Sequence, residues 1–144
     1  SREMIQANRG DRQSGCVVGL HYHLHQADYW YVPFGTVRVV LHDLRQGSPT
    51  EGVTEQTDLV GTEHRGIFIP PGVAHGFATL TDATITYMVD SYYNPADELG
   101  VAWNDPEIAA DWGLDNPTLS ERDQSNPLRN AIPQADQPRY GLRN

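Results

Sequence analysis

With 144 residues, 38% of them hydrophobic, the chain is long enough for one domain with a sizeable core and has no apolar run able to span a bilayer. A net charge of −9 argues against non-specific binding to nucleic acid or anionic membranes, so an anionic substrate needs local arginines or a bound cation to offset that field. All ten basic residues are arginine, which removes lysine Schiff-base chemistry, and the single cysteine, Cys16, excludes an internal disulfide.

Residues 1–14 are polar without a clear period and read as an N-terminal arm or leading strand that needs a partner surface. No charged-then-apolar leader opens the sequence, and a cytoplasmic location is expected. From Gly15 the pattern becomes strand-like over 16–24 and 29–34, with Cys16, next to Val17 and Val18, read as a small buried residue. After Gly35, residues 36–42 place Val37, Val39 and Leu41 on one face. Gln46-Gly47-Ser48-Pro49-Thr50 is turn chemistry, and 53–60 is a weaker, more polar strand. A turn over 61–66 leads to a short apolar strand, 66–69, ended by Pro70-Pro71-Gly72. Strands over 75–80 and 84–90 follow, split by Thr81-Asp82. Short strands between turn signals predict an all-β antiparallel sandwich or barrel. One helix is expected late, starting at Asp105-Pro106-Glu107 and stopping at Trp112-Gly113, with Trp103 and Trp112 packing it. It completes a barrel unit of 15–113. The remainder, 114–144, is rich in Pro, Asn, Asp and Gln and reads as an extended tail draped on the body or partly disordered.

The chemistry concentrates in two places. His21, His23 and His25 alternate, so on a strand they share one face, and Asp28 follows closely. Pro70-Pro71-Gly72-Val73-Ala74-His75 is a second turn-and-histidine unit. Imidazoles and a carboxylate converging from two strands suit a divalent transition metal. Gly15, His21-x-His23, Asp28 and Gly35 reproduce the spacing of the first cupin motif, with Asp in place of its usual Glu. Pro70-x-Gly72-x-x-His75 resembles the second, with Thr79 in place of its usual Asn. This resemblance implies a cupin-type double-stranded β-helix, a jelly-roll barrel with one site in its mouth.

A closer resemblance covers nearly the whole chain. Gly19-Leu20-His21-Tyr22, Asp43-Leu44-Arg45-x-x-Ser48-Pro49-Thr50, Ile69-Pro70-Pro71-Gly72-x-Ala74-His75-Gly76-Phe77, Tyr92-Tyr93-x-Pro95, Trp103-Asn104-Asp105-Pro106 and Leu119-Ser120-x-x-Asp123 are similar to dTDP-4-dehydrorhamnose 3,5-epimerases. That family, a cupin by fold, moves protons beside the C4 ketone of a nucleotide-linked sugar. The resemblance implies His21 as base oriented by Asp123, Tyr87 as proton donor on the opposite sugar face, and His75 near the developing enolate. It also implies a homodimer. Val18 stands where the family has Arg, His23 where it has Gln, and Asp28 where a Lys steadies the enolate; the family's nucleotide-binding arm has no counterpart in the sequence. The changes at His23 and Asp28 both lead back to a metal site, so a divalent transition metal (Fe, Mn, Ni or Zn) is expected on His21, His23, Asp28 and His75. As a Lewis acid it substitutes for the missing ammonium. His21 as a ligand cannot also be the free base, which leaves Tyr87 or a bound water to move protons.

The expected activity is a metal-assisted isomerisation or epimerisation beside a carbonyl of a sugar or nucleotide-sugar, with the family's own turnover of the dTDP sugar not expected. An iron-dependent oxygenase and a non-catalytic sugar-binding cupin are the alternatives. Of the remaining residues, His25 reads as a rim or supporting donor, and His42 and His64 as surface or turn. Tyr87, between Ile85 and Val89, should aim its hydroxyl at an inward polar partner. Ser120-x-x-Asp123 is equally a helix-start pattern. Tyr29-Trp30-Tyr31 reads as barrel core or dimer interface rather than a sugar-stacking mouth, and Tyr92-Tyr93 fits either role.

Overall fold

The structure, a computed structural model, describes residues 2–141; residue 1 and residues 142–144, the outer ends of the expected arm and tail, lie outside it. Among the described residues there are nine strands, the runs read from the sequence plus one in the arm and a short last one that was not expected: β1 Gln6–Arg12, β2 Val17–Tyr22, β3 Asp28–Phe34, β4 Thr36–Asp43, β5 Thr54–Val60, β6 Gly66–Ile69, β7 Val73–Thr79, β8 Ala83–Val89 and β9 Leu99–Gly100. They form a four-stranded sheet in the order β1-β8-β3-β6 and a five-stranded sheet in the order β5-β4-β7-β2-β9, all pairs antiparallel. Two packed antiparallel sheets of this kind are the expected jelly-roll barrel. The leading strand finds its partner surface on β8, with Gln6 opposite Val89 and Arg12 opposite Ala83. Gly35 makes the β3–β4 turn at φ +80°, where a Cβ would stand 2.2 Å from the Asp82 carbonyl oxygen, so only glycine fits.

The core has two layers. Between the sheets, Trp30, Val32, Val37, Val39, Phe77 and Ile85 pack together. Behind the five-stranded sheet, Val17, Leu20, Val40, Ala74, Ala78, Ile108, Trp112 and Ile132 form a second cluster. Every residue of β7 is buried because both faces of that sheet are covered. The cover is the C-terminal stretch, which follows the body closely: Val17 N–H donates to the Thr118 carbonyl (2.9 Å), Ala102 N–H to Pro127 (2.8 Å), and the Tyr22 hydroxyl to Asp136 (3.1 Å). Among the described residues no helix is long and apolar enough to cross a membrane.

Three local expectations change under this cover. No helix forms at 105–112. The Asp105 side chain accepts from Glu107 N–H (2.7 Å), one turn closes from Ala109 N–H to the Asp105 carbonyl (2.9 Å), and Ala109 turns left-handed at φ 52°. The left-handed Ala109 ends the helical path after that one turn, and Ile108 and Trp112 both pack in the cluster behind the five-stranded sheet. The helix of this region is instead α1, Glu121–Gln124, capped by the Ser120 side chain. Cys16 is half-buried, bridging to Thr118, rather than a core residue. His64 lies in a turn as expected, whereas His42 is fully buried on β4, on the face the C-terminal stretch covers.

His42 Nδ1 donates to Thr54 Oγ1 (2.8 Å), whose own proton goes to the Ile108 carbonyl, and Nε2 is left buried with no partner among the described residues. Burial, aided by Arg129 and opposed by Asp105 and Asp43, pushes its pKa down to about 4 from 6.5. Between those values the unfolded chain holds a proton that the folded chain refuses. Stability from this group is therefore full above pH 6.5 and declines as pH falls toward about 4. Urea unfolding across that window is expected to flatten in His42→Gln; an unchanged slope would contradict the assignment.

Candidate active site

One cavity of about 300 Å³ opens between the sheets, lined by His21, His23, Asp28, His75 and Tyr87. His21 and His75 are opposite one another on β2 and β7 of the five-stranded sheet, while Tyr87 and Asp28 come from β8 and β3 of the other. The residues expected from the sequence thus meet at one place, in two separate groups.

The first group is a histidine–aspartate pair. α1 projects the buried Asp123 carboxylate so that Oδ1 lies 2.5 Å from His21 Nε2 and Oδ2 accepts the Gly19 N–H (3.3 Å). Burial disfavours the Asp123 charge, but the hydrogen bonds and charge of His21, with further hydrogen bonds from Gly19 and Ser120, hold its carboxyl below the usual range. An ionised Asp123 makes Nε2 the protonated nitrogen, leaving the His21 Nδ1 lone pair for chemistry. Ser120-x-x-Asp123 is helix cap and histidine partner at once, because Ser120 Oγ accepts from Asp123 N–H (3.1 Å).

The second group is His23, Asp28 and His75, all buried, with ligand atoms within 4.8 Å of one another. His23 Nδ1 donates to the Asp97 carbonyl (2.7 Å) and His75 Nδ1 to Val73 (2.9 Å), so each turns Nε2 toward Asp28 at 3.9 Å. Burial, with His23 and His21 adding to it against the pull of Asp28, keeps His75 neutral by lowering its pKa. The Asp28 carboxylate accepts from Gln26 (2.9 Å) and Trp30 Nε1 (3.1 Å), while Trp30 meets His75 edge-on at 5.2 Å. His21, expected as a fourth ligand, is outside this trio: its Nε2 belongs to Asp123. The arrangement separates roles that one imidazole could not combine.

Tyr87 faces both groups from β8. Burial, then the Asp28 carboxylate, raise its pKa against the opposing effect of Arg12, so the phenol stays protonated and able to donate. The inward polar partner expected for its hydroxyl is not found among the described residues. His25 does not share the face of His21 and His23. β2 ends at Tyr22, and Asp97 draws the chain aside by accepting from Leu24 N–H (2.6 Å) and His25 N–H (3.1 Å). His25 instead borders a separate cavity with Arg2 and Arg45. Trp30 is core, as expected, and Tyr93 reaches the cavity rim while Tyr92 is exposed. Asp97, which braces this loop, and the β1 residues Gln6, Asn8 and Arg12 along one cavity wall carry no local sequence signal; only the pairing of β1 with β8 puts the latter there.

A jelly-roll barrel with histidines from two strands at one interior cavity is a cupin-type protein. More particularly, the chain belongs to the dTDP-4-dehydrorhamnose 3,5-epimerase family, whose profile matches residues 1–130. It is 41% identical to the dTDP-4-dehydrorhamnose 3-epimerase of Streptomyces niveus over 125 residues, 84% of this chain and 60% of that protein. Against the dTDP-4-dehydrorhamnose 3,5-epimerase of Pseudomonas aeruginosa, identity is 40% over 124 residues, 83% of this chain and 68% of the relative. The chain thus spans 60% and 68% of the lengths of these two curated relatives. Among solved structures, the 3,5-epimerase of Legionella pneumophila in complex with dTDP-4-keto-L-rhamnose superposes with a TM-score of 0.93 at 36% identity, covering 99% of this chain and 78% of that one. NovW of Streptomyces spheroides, a 4-keto-6-deoxy sugar epimerase, gives 0.90 at 39% identity, covering 95% and 71%. Family membership lends nothing to the oxygenase or sugar-binding alternatives.

Proposed function

We propose that this protein epimerises a dTDP-linked 4-keto-6-deoxy sugar by proton transfer at carbon beside the ketone. The observation that carries the reading is the 2.5 Å His21–Asp123 contact on one wall of the cavity with the Tyr87 phenol on the other. His21 Nδ1 removes a proton from the carbon next to the ketone, and the C–H electron pair moves onto the carbonyl oxygen to give an enolate. Asp123 steadies the imidazolium that forms. Tyr87 then protonates the other face of the same carbon, inverting it. Val18 and Asp28 argued against this reaction at the level of sequence, yet the His21–Asp123 pair and Tyr87 at one cavity support it.

His23, Asp28 and His75 support a divalent transition cation, Fe, Mn, Ni or Zn, as part of the same reading. Two imidazoles fixed by backbone carbonyls and one carboxylate form a donor set suited to such an ion. When bound, it would supply Lewis-acid polarisation of the substrate carbonyl. We also infer a homodimer and a cytoplasmic location. Met88, Tyr29 and Phe68 align across the outer face of the four-stranded sheet, Met88 and Phe68 exposed, which supports pairing through that face.

The test is incubation with a dTDP-4-keto-6-deoxy sugar in deuterated water. Deuterium is expected at the carbons flanking the ketone, together with inverted product; neither appearing, with folded and metal-loaded protein, would sink the proposal.

A further inference from the structure

Among the described residues, Arg12 and Arg139 are the arginines that form no salt bridge; Arg12 acts on the Asp11 carboxylate only through its charge, after the closer Arg9. Arg139 borders the separate cavity beside Arg45, whereas Arg12 lies on the wall of the candidate active site. Its single hydrogen bond runs from Nη1 to the Asp11 carbonyl (3.0 Å), so most of its five N–H donors are uncommitted. The guanidinium lies back over Gly10: a Cβ there would be in ordinary contact with Arg12 Nη1 (3.7 Å) and Ile85 Cγ2 (3.6 Å), and both residues line the cavity. The other cations at the cavity are already matched: Arg9 pairs with Asp11 (3.1 Å) and Arg122 with Glu98 (3.5 Å).

We propose that Arg12 anchors the phosphate portion of the substrate at the cavity rim, an inference that rests on the nucleotide-sugar reading above. A chain of net charge −9, with Asp28 and Glu98 facing the same cavity, repels a diphosphate unless a local cation receives it. A planar guanidinium with free parallel donors is the side chain best shaped to do so, through two hydrogen bonds to one phosphate. Arg12 comes from β1, whereas His21 and His75 come from the opposite sheet, so it holds the substrate without competing for the reacting end.

The experiment is calorimetric titration of dTDP into wild-type protein, Arg12→Gln and Arg139→Gln, paired with steady-state kinetics on the dTDP-sugar. Arg12→Gln is expected to weaken dTDP binding by about tenfold or more and to raise KM alike, with kcat changed less than about twofold. Arg139→Gln, which removes the same charge elsewhere, is expected to match wild type. Wild-type affinity in Arg12→Gln would overturn the proposal and leave the epimerase reading standing. Equal weakening in both variants would replace it with a general field effect. A fall in kcat at constant KM would overturn it by assigning Arg12 to the Tyr87 phenol instead. A wild-type protein blind to dTDP would overturn this proposal and the nucleotide-sugar reading together.

Discussion

Tyr87→Phe is expected to uncouple proton exchange from epimerisation. With His21 and Asp123 untouched, the base still lifts the proton beside the ketone and returns solvent deuterium to the same face. Inverted product, which needs a donor on the other face, falls by about 10²–10⁴-fold, the usual range for a positioned general acid. Folding should survive, because the hydroxyl has no hydrogen-bond partner among the described residues and its loss leaves no buried group unsatisfied. Asp123→Asn provides the contrast. An amide cannot hold the Nε2–H tautomer or stabilise an imidazolium, so exchange and product formation both drop. Mass spectrometry for deuterium and NMR for configuration read the two outcomes separately. Undiminished inversion in Tyr87→Phe, or loss of exchange along with product, would remove Tyr87 from the role of acid.

The second large effect concerns the trio on the cavity floor. Elemental analysis of metal-replete protein is expected to find one divalent ion per chain, and His23→Ala, Asp28→Ala or His75→Ala to lower affinity by at least about 100-fold. His21→Ala should retain the ion, since its Nε2 is held by Asp123 and not by the trio. That contrast separates the three-ligand arrangement from the four-ligand one that sequence spacing suggests. A thermal shift supplies an independent readout: at a free metal concentration of 100 times Kd, stabilisation is about 2.7 kcal/mol. Protein that takes up no transition metal under replete conditions, or loses it equally in His21→Ala, would refute the assignment.

The candidate site was partly legible before folding was considered. The spacing of His21, His23, Asp28 and His75 offers a ligand set because period-two strands and a Pro-Gly turn fix where those side chains go, although the structure groups only the last three. Tyr87 and Asp123 carry no such local signature. A tyrosine between Ile85 and Val89 looks like core, and an Asp after Ser120 looks like a helix start. The roles proposed for them came from resemblance, and the structure shows how a helix of four residues carries Asp123 to a histidine 102 positions away.

The sequence by itself determined the strand pattern, the turn at Gly35 and the inward face of Val37, Val39 and Leu41, because these depend on neighbours in the chain. Tertiary structure alone decided the rest. The C-terminal stretch covers the back of the five-stranded sheet, which buries His42 and replaces an expected helix with one turn that delivers Ile108 and Trp112 to the core. Asp123 claims His21, and Asp97 pulls His25 away from the cavity, leaving three grouped candidate ligands where spacing offered four. Each of these outcomes is a contact between residues distant in sequence, and no local period or propensity encodes which distant partner arrives.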